Sequence, residues 1–169
     1  MQVLQTQRLV LRHLGAADAP FILRLLNEPS WLQNIGDRGV RTLADAQHYI
    51  ETGPVEMYRR LGFGLNQVRL RASDEPIGMC GLLRREALPD VNLGFAFLPE
   101  FWGNGYARES AAAVMSYAGS VLGLARIVAI VARHNEASRR VLEKLGFTFE
   151  RLVQLETGGE ELLLYAAVT

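Results

Sequence analysis

The segment Trp102-Gly103-Asn104-Gly105-Tyr106-Ala107 joins a strand-like run, Val91 to Leu98, to a run with helical spacing at Ala111, Val114, Met115, Ala118 and Leu122. The chemistry open to such a junction is anion binding. The first four amides of a helix lack internal partners and point toward the loop that precedes it. The helix dipole adds partial positive charge there, and Gly103 and Gly105 let the backbone approach a pyrophosphate closely and take positive φ. Because the binding groups are main chain, few basic side chains are needed. A tight turn into a helix is the plain alternative. A dinucleotide fingerprint would need Gly or Ala where Arg108 stands, inside an early strand-helix-strand unit. A P-loop would need Lys and then Ser or Thr after its last glycine, where Tyr106-Ala107 stand. Both of those readings lose.

Ser138 is the second residue placed for chemistry. It shares helical spacing with Val141, Leu142 and Leu145 and so faces inward, while Arg139, Arg140, Glu143 and Lys144 mostly face outward. A small helix residue bonded to its own backbone is the alternative. Asn135, just before this helix, is suited to cap it.

The elements that must position these residues follow from periodicity. Arg8 to Arg12 alternates as a strand, and the apolar series Phe21, Ile22, Leu25 and Leu26 marks a helix opened by Asp18 with Pro20 in its first turn. Glu28 to Arg41 is irregular and reads as short helix and loop. Thr42 with Asp45 resembles a capping box opening a helix through about Ile50. Phe63 to Arg71 and Ile77 to Arg84 form a hairpin about the turn Ser73-Asp74-Glu75-Pro76, and the second of these strands is apolar on both faces. Val91, Leu93, Phe95 and Phe97 form one bulky face, whereas Asn92, Gly94 and Ala96 keep the other small enough to admit something beside it. Arg126 to Ala132 is a strand, Asn135 to Leu145 a helix ended by Gly146, and Phe147 to Leu155 a strand; Thr157 to Glu160 then turns the chain into a last strand ending near Val168.

Composition narrows the partners. The chain has 169 residues, 49% of them hydrophobic, with 18 basic and 18 acidic residues and a formal net charge of zero. That suits one domain, residues 1–169, with a full core and gives a nucleic-acid backbone no electrostatic encouragement. Cys80, the one cysteine, excludes an internal disulfide and a multi-thiolate zinc site, and is expected to be a small core residue. With no apolar leader at Met1 to Val10 and no stretch of membrane-spanning length, a soluble cytoplasmic protein is expected.

Leu93 to Ala107 closely resembles the coenzyme A pyrophosphate-binding motif of the GNAT acetyltransferases, and Glu109-Ser110-Ala111 extends the likeness. The superfamily pattern of Gln or Arg, two residues, Gly, one residue, and Gly or Ala falls on Trp102, Gly105 and Ala107. Trp102 departs from it, but a tryptophan is usual in the branch resembling the ribosomal-protein N-terminal acetyltransferases, to which Thr6 to Arg12 is also similar. Asn135 to Phe147 resembles the family's second motif.

The resemblance implies an α/β (α+β) fold: a mixed, mostly antiparallel sheet of about seven strands, splayed between the fourth and fifth, with helices on both faces. It implies acetyl-coenzyme A as cosubstrate, no metal, an amine acceptor with a peptide or protein N-terminal α-amine first, and a homodimer as a family expectation. A small-molecule amine acceptor and a coenzyme A-binding module without turnover are the competing readings. Cofactor contacts are implied at Phe97 and Leu98 through main chain, at Trp102, Gly103, Asn104, Gly105, Tyr106 and Ala107, and at Asn135, Ser138 and Arg139. The tyrosine many members use to protonate the departing thiolate falls on Leu142, which has no proton to give, so Ser138 is the proton donor the branch implies. The strand position that often carries a carboxylate base holds Asn92. Glu86, Asp90, Asp37, His134 and a water chain remain as candidate bases.

Overall fold

The computed structural model describes residues 1–169 apart from the side chain of Gln2. Eight strands form one sheet: β1 (Gln2–Gln5), β2 (Leu9–His13), β3 (Leu65–Leu70), β4 (Pro76–Leu83), β5 (Asn92–Phe97), β6 (Arg126–Ala132), β7 (Thr148–Val153) and β8 (Leu162–Val168), in spatial order β1-β2-β3-β4-β5-β6-β8-β7. Every neighbouring pair is antiparallel except β5 and β6. The count is eight where about seven are expected. The additional strand, β1, is a four-residue edge strand with an irregular register against β2, too short for alternation to declare it.

Six α-helices flank the sheet: α1 (Ala19–Leu26), α2 (Pro29–Asn34), α3 (Leu43–Ile50), α4 (Glu56–Leu61), α5 (Tyr106–Ser120) and α6 (Glu136–Lys144). The expected capping box is present at α3: the Asp45 amide donates to Thr42 Oγ1 at 3.1 Å and the Thr42 amide donates to the Asp45 carboxylate at 3.0 Å. Asp18 precedes α1 as expected but does not cap it. Its buried carboxylate instead accepts from the Arg12 guanidinium at 2.7 Å and from the Gly15 amide at 2.9 Å. Between α3 and α4, Glu51–Val55 continues as a π-helical turn holding Pro54, so Gly53-Pro54 widens the helix instead of ending it.

Helices lie on both faces. One core joins Leu93 and Phe97 of β5 to Ala111, Val114 and Ala118 of α5 and Leu142 of α6. A second joins Met79 and Leu98 to Ile22, Leu25, Ala46 and Ile50 of α1 and α3. β4 lies between them and buries every residue after Pro76, as its doubly apolar sequence requires. Cys80 on this strand is fully buried, and burial pushes its thiol up to about 12. Among the described residues, no helix is long and apolar enough to cross a membrane.

The sheet is not continuous. β5 and β6 share a single bridge, Asn92↔Val128, with the Val128 amide donating to the Val91 carbonyl at 3.0 Å, and beyond it the strands diverge. Gly94, Phe95 and Ala96 are consequently only partly buried in mid-sheet, where a neighbouring strand would bury them. The splay falls between the strands expected to part.

Candidate functional site

A groove of about 1580 Å³ runs through this gap, reaching the glycine loop and α6 on one side and α2, α3 and the end of β4 on the other. At the loop, Gly103 and Gly105 take φ of +79° and +80°, the left-handed region that costs other residues about 1–2 kcal/mol. The first α-helical bond of α5 is Glu109 N–H to Gly105 C=O at 3.0 Å, and no side chain caps the helix. The amides of Tyr106, Ala107 and Arg108 therefore come before the helical ladder begins, and all three residues line the groove. Their unpaired N–H groups and the dipole make an anion site of main chain.

The loop is held from behind by Arg8, just before β2. Its Nε donates to Glu109 at 2.7 Å, its Nη1 to the Asn104 carbonyl at 2.9 Å, and its guanidinium lies 4.5 Å from the centre of the Tyr106 ring. Glu109 also accepts from Thr6 Oγ1 at 2.6 Å and from the Arg8 amide at 2.9 Å. Burial works to raise the Glu109 pKa, but the bonds from Thr6 and Arg8 outweigh it and hold the carboxyl below its ordinary value, so it stays charged at neutral pH. Thr6 and Arg8 belong to the first-strand likeness, yet sequence assigned them no role, because their partner is about a hundred residues away.

Along the gap, backbone direction separates two expected contacts. The Leu98 amide donates to the Ile77 carbonyl and its carbonyl accepts from the Phe101 amide, while its side chain is buried in the α1–α3 core. Leu98 thus has no main-chain group left for a ligand, and the expectation for it is corrected. Strand alternation then turns the backbone of Phe95 and Phe97 toward the open edge. The Phe97 carbonyl accepts from Trp102 Nε1 at 2.9 Å, which ties the exposed indole across the mouth of the groove. Asn104 does not line the groove: its Nδ2 donates to the Phe101 and Trp102 carbonyls, so it shapes the loop.

On α6, Asn135 caps the helix, its Oδ1 accepting from the Ser138 amide at 3.2 Å, and both residues line the groove. The Ser138 hydroxyl has no hydrogen-bond partner among the described residues. Ser110 and Ser120, by contrast, donate back to the carbonyls of Tyr106 and Ser116. Leu142 is buried at the groove wall. Arg139 points elsewhere, its Nε donating to the Tyr165 hydroxyl at 3.2 Å and its Nη1 to the Arg133 carbonyl; the first of these bonds raises its pKa. Lys144, on the outer side of α6, is exposed and lies at the edge of the groove.

Among the candidate bases only His134 reaches the groove. Asp90 is paired with Arg126, Glu86 is exposed away from the groove, and Asp37 is paired with Arg41, whose hydrogen bond holds its carboxyl below the ordinary value. The acceptor side carries Trp31 and Arg38, from the stretch around Trp31 to Arg41 expected to line it, together with Tyr49 and Arg85, which no sequence pattern singled out.

Residues 8–148 match the acetyltransferase (GNAT) domain family. The chain is 30% identical to the uncharacterized N-acetyltransferase YoaA of Bacillus subtilis (strain 168) over 154 residues, 90% of this chain and 86% of that one. It superposes on an acetyltransferase from Agrobacterium tumefaciens str. C58 with a TM-score of 0.83 and 28% identity, covering 99% of this chain and 94% of that one. A ribosomal L7/L12 alpha-N-protein acetyltransferase in complex with coenzyme A shares the fold, with a TM-score of 0.84 at 19% identity over 99% of this chain and 98% of that one. With the splayed sheet and glycine cradle, these matches establish that the chain belongs to the GNAT acetyltransferase family and is an acetyl-coenzyme A-dependent acyltransferase.

Proposed function

We propose that the protein acetylates a primary amine, the N-terminal α-amine of a peptide or protein, by direct attack on the thioester of acetyl-coenzyme A. The observation that carries this reading is the continuity of the groove. Orphan amides and left-handed glycines stand at one mouth, an open strand edge follows, and the unpartnered Ser138 hydroxyl lies on the wall. In this reading the amides from Gly103 to Arg108 hold the pyrophosphate, the open edge of Phe95 and Phe97 takes the pantetheine arm, and Trp102 and Asn135 flank it. Lys144 replaces Arg139 as the side chain that reaches the coenzyme's phosphates.

The amine attacks the thioester carbon, the new C–N bond forms, and the C–S bond breaks. Ser138 gives its hydroxyl proton to the departing sulfur, and the proton shed by the amine passes through His134 or water and restores the Ser138 hydroxyl. With Asn92 in place of a carboxylate, an acceptor that is easily deprotonated is favoured. An α-amine has a pKa of about 8 and a lysine about 10.4, so presenting a neutral lysine costs roughly 3 kcal/mol more. The test is thiol release from acetyl-coenzyme A with peptide, polyamine and aminoglycoside acceptors. Release is expected to depend on the acceptor and to be greatest with peptides; no acceptor-dependent release across the panel would remove the reading.

A further inference from the structure

Four buried side-chain polar atoms lack a hydrogen-bond partner among the described residues, and three of them, Trp31 Nε1, Arg85 Nε and Asn92 Oδ1, belong to residues lining the groove. An unsatisfied buried group costs about 1–3 kcal/mol, and more when charged, so such atoms are rare unless something else satisfies them. Two of them, Arg85 Nε and Asn92 Oδ1, lie at one end. Asn92 pairs with Leu83 across the sheet, and Arg85 follows Leu83 by two residues at the same end of β4. Asn92 is 1% exposed; its Nδ2 donates to the Asp90 carbonyl at 2.8 Å, leaving Oδ1 as a lone acceptor.

Two of the three orphans are donors, and the charges left unpaired around Arg85 are positive. Burial pulls the Arg85 guanidinium below its ordinary value, and the field of Arg38 acts in the same direction, yet a guanidinium remains charged at any working pH. Burial raises Tyr49 between them, opposed by the fields of both arginines. The nearby carboxylates are engaged elsewhere: Asp37 pairs with Arg41, and Asp45 accepts from the Arg41 and Thr42 amides. Other partly buried arginines have partners, Arg12 on Asp18, Arg69 on Asp74 and Arg139 on Tyr165. Arg85 has none.

We infer that this end of the groove binds a carboxylate carried by the acceptor, with Arg85 and Arg38 donating to it while Asn92 Oδ1 accepts from the acceptor's amine. The inference rests on the acetyltransferase reading and deepens it by naming the acceptor's chemistry. The coenzyme's pyrophosphate is not the anion in question: from Asn92 to Phe97, β5 alone spans about 16 Å, and the glycine loop lies beyond it. The carboxylate belongs either to a free amino acid or to an acidic first residue of a peptide. Both present an anion a few bonds from the reacting nitrogen.

The experiment compares matched acceptors in the thiol-release assay. One arm uses free amino acids against their amides; the other uses C-terminally amidated peptides beginning with Asp or Glu against those beginning with Asn or Gln. Each is run with the unmodified protein, Arg85→Met, Arg85→Lys and Arg38→Gln, and acetyl-coenzyme A affinity is followed by calorimetry. The carboxylate member of one arm should be favoured at least tenfold in kcat/KM, and which arm it is identifies the source. Arg85→Met should erase the preference, Arg85→Lys retain part of it, and Arg38→Gln weaken it less, with acetyl-coenzyme A affinity unchanged. Equal turnover of matched pairs by the unmodified protein, or a preference that survives Arg85→Met in a folded variant, overturns the inference and leaves the acetyltransferase reading standing. Absence of turnover with every acceptor takes down both.

Discussion

The two ends of the groove are built by opposite means. At the glycine loop the ligand-facing groups are backbone amides, and the nearby charges, Arg8 and Glu109, are spent on each other and on holding the loop. At the far end the groups are side chains, and the charges are left without partners. A backbone cradle takes any ligand with the right phosphate geometry, which suits a cosubstrate common to a whole family. A side-chain pocket can be rewritten one residue at a time, which suits an acceptor that differs between relatives.

Substitutions at each end can break or sharpen this contrast. The largest effect is expected from Gly105→Glu, which forces a side chain into left-handed backbone and adds negative charge to the anion site: acetyl-coenzyme A binding should be lost by calorimetry while circular dichroism shows a folded chain. Unchanged affinity would mean that the pyrophosphate lies elsewhere. Ser138→Ala comes next, lowering kcat by about a hundredfold with acetyl-coenzyme A affinity kept, as loss of a proton donor would; an unaltered kcat would hand that proton to another group. Arg8→Ala should raise the dissociation constant for acetyl-coenzyme A roughly tenfold through a loosened loop and leave the acceptor KM alone, with Arg8→Lys recovering part of the loss. A matching rise in acceptor KM would erase the division between the two ends. Smallest is Thr42→Ala, which removes the α3 cap: about 1 kcal/mol of stability and roughly 2–4 °C in Tm, with a modest rise in acceptor KM because α3 carries Tyr49, and no change in acetyl-coenzyme A affinity.

What could be read in the sequence divides along the same line. Glycines with left-handed φ, the Thr42-Asp45 box, the Asn135 cap and the doubly apolar β4 each follow from local rules, so the cradle and most of the elements were visible in residue types and spacing. Leu98 failed by one residue, because which backbone groups face an open edge depends on which neighbour the strand keeps. Arg139 failed for a related reason: spacing assigns it and Lys144 alike to the outer side of α6, while tertiary partners decide which of them meets the groove. Arg85 sits in Arg84-Arg85-Glu86, a run that reads as solvated charge; only the folded chain turns one of the three inward. Chemistry carried by backbone announces itself through conformation, whereas a side chain's task depends on distant company.

Cys80 bears on how all of this can be measured. Its sulfur is fully enclosed in β4 with a thiol pushed up to about 12, so it forms almost no thiolate near neutrality and is shielded from disulfide reagents. With no second cysteine in the chain, the folded protein contributes no colour to an assay that counts liberated coenzyme A. The same thiol becomes reactive when the sheet opens, so one reagent reports turnover under native conditions and unfolding under denaturing ones.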